Sequence, residues 1–381
     1  MTEQFRMGEL FSGPGGMALG ARRAAVASGI ELQHAWANDY DFDTCRTYRR
    51  NILEPIYGEA AKLAASAFEL SSESGSIIHQ NVHSLAIEAL SPIDGFAFGF
   101  PCNDYSLVGE WKGLDGTFGP LYSYGVEVLA SKRPKWFVAE NVSGLRGANE
   151  GRAFRQILEH LEHPSQDLRY RLVPHLYSFD EYGVPQRRRR IVIVGVRDDL
   201  DVEFRVPAPV TSPDDVTVST RYALSTPPLL GDAPNHEHVR QSHHVAERLS
   251  YIRPGENAFS PAVLARMPRR LQINTRTTLS QVYRRLDPDR PAYTVTGGGG
   301  GGTYVYHWDE NRALTNRERA RLQSFPDDFV FEGGLASVRK QIGMAVPVGG
   351  AEAIFRALFA AFRGEDYPSI PCNLGSEMTM G

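Results

Sequence analysis

The sequence predicts an α/β fold, a mainly parallel sheet joined to a smaller, irregular segment. Three observations predict it. Up to about residue 200, short apolar runs at Leu32 to Ala37, Asp94 to Phe100, Trp136 to Ala139 and Ile191 to Val196 alternate with amphipathic stretches. That is the rhythm of strands joined by crossover helices. From 201 to 295 it gives way to Pro-rich and His-rich stretches such as Thr226-Pro-Pro-Leu-Leu and Asn235-His-Glu-His, which sustain no period. Helical spacing returns at Thr315 to Ser324, opened by a Thr-Asn-Arg-Glu capping pattern, and at Gly350 to Phe362, so residues 296–381 are expected to return to the first domain. A chain of 381 residues suffices for one or two such domains.

Taken in order, the first strand leads into Glu9-Leu-Phe-Ser-Gly-Pro-Gly-Gly-Met-Ala-Leu-Gly. Its glycines let the backbone turn tightly into a helix and approach a ligand, although a plain turn uses the same residues and the dinucleotide spacing is absent. The next apolar run ends in Asn38-Asp39-Tyr40, a carboxylate and a ring at the sheet edge where α/β proteins bind ligands. They suit ribose hydroxyls and an adenine face, and a helix cap by Asp39 or Asp41 is the plainer alternative. Gly99-Phe-Pro-Cys-Asn-Asp-Tyr-Ser sets Cys102 after a proline on a stiff loop. A nucleophile stands in such a place, as does an inert, buried thiol. The strand Trp136-Phe-Val-Ala ends in Glu140-Asn-Val, which a parallel sheet would carry to the same rim as Cys102. Pro185-Gln-Arg-Arg-Arg-Arg-Ile opens the run Ile191 to Val196, read as a central strand. Alternation sends Arg188 and Arg190 to one face and Arg187 and Arg189 to the other, and the inward pair requires partners.

The formal charge of −4 gives no global basic signal, so any nucleic-acid surface has to be a local patch. Three scattered cysteines, Cys45, Cys102 and Cys372, argue against a disulfide framework and a clustered zinc site. His236, His238, His243 and His244 lack matched ligands at metal spacing, so no metal is expected. The start Met1-Thr-Glu-Gln-Phe-Arg lacks a signal-peptide pattern, and no apolar run is read as approaching a membrane span. A reduced, cytoplasmic compartment is the expectation.

The ordered blocks resemble those of the cytosine-5 DNA methyltransferases. They are Phe11-Ser-Gly-Pro-Gly-Gly, Asn38-Asp-Tyr, Gly99-Phe-Pro-Cys, Glu140-Asn-Val, Gln186-x-Arg188-x-Arg190, Thr294-Val before a glycine run, Leu314-Thr-x-Arg317-Glu-x-Ala-Arg-Leu-Gln-x-Phe-Pro-Asp327, and Gln341-Ile-Gly. Only about 200–290 is unmatched, and in that family this segment is the variable target-recognition domain. The resemblance implies a Rossmann-like methyltransferase domain at 1–200, a target-recognition domain at 201–295 and a returning segment at 296–381. It implies Cys102 as the nucleophile toward cytosine C6, Glu140 as the acid at N3, Arg190 at the cytosine carbonyl and Arg188 behind it. A base inside a duplex must be flipped to reach them.

The cofactor implied is S-adenosylmethionine, with S-adenosylhomocysteine as product. Phe11, Ser12, Gly13, Pro14, Gly15 and Gly16 would wrap it, Asp39 would hold its ribose and Tyr40 its adenine, with Asn81, Val82, Pro101, Leu121, Met344 and Ala345 completing the pocket. The chain departs from the family pattern at Asn81, where aspartate is usual, at Asn103, where glutamine is usual, and at Gly343-Met-Ala-Val, where Gly-Asn-Ser-Val is usual. Duplex DNA is the expected partner, contacted by Ser106, Arg276, Arg284, Arg285, Thr294, Gly298 and Gly299, within an arginine-rich stretch that also holds Arg266, Arg269, Arg270 and Arg290. A companion restriction endonuclease acting separately and a monomeric state are implied as well. The tRNA-directed branch of the family carries Cys-Phe-Thr, and none of the three cysteines is followed by Phe-Thr.

Overall fold

The computed structural model describes residues 3–70, 75–100, 121–273, 281–299 and 302–374. In chain order the first elements are β1 (Gln4–Leu10), α1 (Gly16–Ser28), β2 (Glu31–Asp39), α2 (Phe42–Tyr48), α3 (Glu54–Tyr57), β3 (Lys62–Ala64), β4 (Ser76–His79), β5 (Gly95–Gly99), α4 (Tyr122–Lys132), β6 (Trp136–Val142), α5 (Arg152–Glu162), β7 (Tyr170–Ser178), β8 (Gln186–Arg187) and β9 (Arg189–Arg197). Then come β10 (Val206–Pro207), α6 (Thr220–Ser225), α7 (His243–Ser250), α8 (Pro261–Arg266), β11 (Ala292–Tyr293), α9 (Asn316–Leu322), α10 (Leu335–Met344), α11 (Val348–Phe362) and β12 (Ser369–Ile370). The chain divides into two compact units. One comprises Met1–Ser178, Arg189–Ala208 and Gly350–Gly381, and the other Phe179–Arg188 and Pro209–Gly349. The return to the first unit therefore falls at residue 350 rather than 296.

The first unit holds an eight-stranded sheet in the order β3-β4-β2-β1-β5-β6-β9-β7. Every adjacent pair is parallel except β6/β9 and β9/β7. Ile191 to Val196 thus lies one strand from the edge, which corrects its reading as a central strand, and it runs antiparallel to both neighbours. Its unbroken apolar run reflects cover on both faces, a property that central and near-edge strands share. The edge strand β7 is hidden in the sequence by Pro174, which argues against a strand except at an edge, where one missing donor costs no ladder bond.

Both faces of the sheet are covered. Phe5 and Trp136 pack on one side against Phe355 and Phe359 of α11, with ring centroids 5.7–6.1 Å apart. On the other side Phe96, Phe98 and Phe137 join Val128 and Leu129 of α4 and Phe154 and Ile157 of α5 in one buried cluster. The strand order reverses about β1, which has β2 on one side and β5 on the other. Ligands of open α/β sheets bind at such a switch point, outside the carboxyl ends of the strands.

In the second unit, among the described residues, the strands are two-residue pieces, and the apolar interior includes small clusters around Leu249 and Leu271 and around Leu286 and Leu322 beside the packed rings of Phe325, Phe329 and Phe331. Irregular backbone leaves carbonyls without ladder partners, and buried arginines take them up. Arg317, fully buried, donates to Pro234 O, Pro326 O and Phe329 O. The stretch Leu335–Phe362 is long and apolar enough to cross a membrane by composition alone, which corrects the expectation that no run approaches that length. It is two helices broken at Ala345-Val346-Pro347, and more than half of its apolar window is buried inside the protein.

Candidate active site

At the carboxyl end of β1 the chain turns through Phe11, whose φ of 52° is a left-handed conformation that a bulky residue rarely adopts. Ser12 N–H donates to Asn38 O, and Gly13 N–H donates to Asp39 Oδ2 at 3.0 Å. Pro14 and Gly16 are buried in the turn. Gly15, at φ 99°, is the N-cap of α1, and a Cβ there would strike Ile52. A Cβ on Gly13 would meet nothing within 4 Å, so the outer side of the turn is open. No side chain caps α1 and no acid stands in its first turn, which leaves backbone N–H groups for a ligand.

Neighbouring strand ends add the other groups. Asp39 is buried, and its second oxygen accepts from Asp41 N–H. Burial raises its pKa while the N–H donors at Asp41 and Gly13 oppose the rise. The Tyr40 ring is 58% exposed, open to stacking. Asn81 Oδ1 accepts from His83 N–H and so caps the turn after β4. Val82, expected at the cofactor, buries its side chain in the apolar cluster with Leu85 and Ile87, where a branched hydrocarbon gains most. Leu121 is half-buried at the start of α4.

Glu140 sits in register with Gly99, and Glu140 Oε2 lies 3.4 Å from the position a Gly99 Cβ would take. β5 therefore passes directly beside this carboxylate on its way to residue 102. Arg190, opposite Val142 on β9, reaches back so that its Nε stands 2.8 Å from Glu140 Oε1. Both side chains are about one-seventh exposed, at 14% and 13%. Arg190 Nη1 is fixed by Arg189 O at 2.8 Å. Asn141, to which the sequence reading gave no role, donates from Nδ2 to Phe100 O at 2.8 Å and pins the backbone two residues before Cys102. Cys102 itself lies outside the described residues, as do Pro101, Ser106 and Arg276. Of the described cysteines, Cys45 is fully buried, and desolvation pushes its thiol far up, the state of an inert thiol. Cys372 is exposed.

The family model for the C-5 cytosine-specific DNA methylases matches residues 5–360. The chain belongs to this family. It is 50% identical to the Type II methyltransferase M.BbvI of Brevibacillus brevis over 377 residues, 96% of this chain and 94% of that relative. It is 36% identical to the Type II methyltransferase M.NgoFVII of Neisseria gonorrhoeae over 358 residues, 93% of this chain and 86% of that one. Two solved structures share the fold. An E. coli prophage chain described as a DNA modification methyltransferase aligns with a TM-score of 0.68 at 22% identity, covering 94% of this chain and 99% of its own. A variant of Spodoptera frugiperda DNMT2 aligns at 0.59 and 14% identity, covering 93% and 99%.

The remaining expected residues of this cytosine methyltransferase fall in the second unit. Arg188, 2% exposed, donates to Val295 O and Gly343 O. Met344 is 60% exposed at the end of α10, and Ala345 is buried. A cleft of about 550 Å³ is lined by Arg187, Arg284, Arg290, Tyr293 and Thr294, among others. The Arg284 guanidinium lies 4.8 Å over the Tyr293 ring, and Thr294 Oγ1 donates to Arg187 O. Gly298 and Gly299 are exposed. Arg285 is corrected: it is 3% exposed, and its guanidinium is taken by Leu249 O, His307 O, Glu310 O and Asn311 Oδ1, so its charged head serves the fold. Arg266, Arg270 and Arg290 are ion-paired with Glu256, Glu247 and Asp214. Of the described arginines in the stretch read from sequence, Arg285 alone is buried, while Arg269, Arg270 and Arg290 are exposed.

Proposed function

We propose that this methyltransferase flips a cytosine out of a short specific sequence in duplex DNA and methylates its C5 through a covalent bond between Cys102 and C6. The observation that carries the reading is the Glu140–Arg190 pair beside Gly99, at the carboxyl edge of the switch-point sheet, with Cys102 three residues further along the chain. Cytosine C5 is a poor nucleophile, and thiolate addition at C6 makes it enamine-like. Glu140 gives or shares a proton at N3 as charge develops there, and Arg190 holds both that carboxyl and the neighbouring carbonyl oxygen. After C5 is methylated its proton leaves to water, and the Cys102–C6 bond breaks to restore the thiolate.

The turn from Phe11 to Gly16, with its open outer side, buried Asp39 and exposed Tyr40, supports S-adenosylmethionine as donor. When bound, that cofactor supplies an electrophilic methyl on sulfur. The first-turn N–H groups of α1 suit its carboxylate, and Asp39 suits its ribose. Resemblance to named Type II methyltransferases supports a modification role, which we propose is exerted beside a separate restriction endonuclease by a monomeric, cytoplasmic enzyme needing no metal. Incubating the full chain with tritiated S-adenosylmethionine and either duplex DNA or tRNA tests the reading. Label is expected in DNA as 5-methylcytosine, and label confined to tRNA would overturn it.

A further inference from the structure

Beneath the glycine run of the second unit stand two arginines to which the catalytic reading gives no work. Arg319, on α9, is 1% exposed; Nη1 donates to Thr296 O at 3.2 Å, and Nη2 is buried with no partner. Arg339, on α10, is half-buried, and its Nε is likewise without a partner. Among the described residues no carboxylate pairs with either. Both guanidiniums lie near one ring, that of Tyr304, at 6.0 Å and 5.2 Å from its centroid. Gly299 packs so closely over Arg339 that a Cβ there would collide with the guanidinium. Burial and the positive charge of Arg339 push Arg319 down to about 10, while Tyr293, Tyr304 and Tyr306 oppose the shift.

Two like charges in a shared, poorly hydrated place are costly, and apolar side chains of similar volume would fill the space without that cost. Retaining both therefore implies an anion arriving from outside. The open side of the site is the exposed backbone of Gly298 and Gly299, where the lack of side chains allows a close approach. We infer that Arg339 and the backbone of Gly298 and Gly299 form a seat for one phosphodiester group of the DNA substrate, with the buried Arg319 beneath them supplying positive field. The inference rests on the reading of duplex DNA as substrate. A phosphate contact positions the duplex and carries no base information, so its loss weakens all sequences alike.

The test uses the full-length chain and a fluorescent duplex that the wild type methylates, titrated at several salt concentrations. In Arg339→Gln the slope of log affinity against log salt should fall by about one, the value for one lost phosphate contact. Arg339→Lys should keep the slope. Arg319→Met should raise the melting temperature while weakening DNA binding several-fold, a combination that a packing role cannot produce. An unchanged slope in Arg339→Gln, or a lowered melting temperature with unchanged binding in Arg319→Met, would overturn the proposal. Should the wild type bind and methylate no duplex, the functional reading itself fails, a result distinct from either of these.

Discussion

Glu9 stands in β1 with its carboxyl fully buried beside the glycine turn; Oε2 accepts from the Tyr48 hydroxyl at 3.1 Å, and Oε1 has no partner. Burial lifts its pKa to about 8, with the Tyr48 bond opposing and the charge of Asp39 assisting. The folded state therefore favours the protonated form. Its stabilising contribution is full below about 4.5, the unfolded value, and is lost as pH rises towards 8. Glu9→Gln keeps the neutral shape. The melting temperature of the variant minus that of the wild type should accordingly grow between pH 5 and pH 8, and a pH-independent difference would refute this. Nothing in the sequence beyond an acid at the end of a strand hinted at it. Glu140 is the opposite case, since motif order named both it and Arg190, although their pairing at 2.8 Å came only from the structure. Glu140→Gln should lower kcat by about 10²–10⁴-fold, read by methyl incorporation, while donor affinity measured by calorimetry stays near the wild-type value.

At the scale of elements, the link from β6 to the loop after β5 is the Asn141 side chain. Asn141→Ala leaves Phe100 O without its buried donor, a loss of about 1–3 kcal/mol. It should lower both the melting temperature and kcat, whereas a purely structural role would lower only the first. The capping box of α9 was legible letter by letter. Thr315 accepts from Glu318 N–H and Glu318 accepts from Thr315 N–H, so Thr315→Ala should cost about 1 kcal/mol in urea unfolding. Less legible were β7, masked by Pro174, and the direction of β9, because burial on both faces erases the alternation that would orient a strand. Within the arginines between 266 and 290, Arg285 misled for a related reason. A charged residue advertises solvent or phosphate in a sequence, yet irregular backbone needs donors, and Arg285 meets that need internally.

Over the whole molecule, the α/β class and the gathering of glycine turn, acid and arginine at one sheet edge were readable because strand order obeys general rules and function sits at strand ends. The return of the chain to its first unit was not, because α9 and α10 share helical periodicity with the first unit but belong to the second, where Leu322 of α9 joins the buried cluster around Leu286. The proposed function turns on covalent capture of a cytosine by Cys102. A duplex carrying 5-fluorocytosine at the methylated position tests this most directly, since fluorine at C5 blocks the final loss of a proton and leaves enzyme and DNA joined. The expected result is a denaturant-resistant adduct, dependent on S-adenosylmethionine, mapped to Cys102 and abolished by Cys102→Ala. An adduct mapped to Cys45 or Cys372, or undiminished methylation by Cys102→Ala, would contradict it.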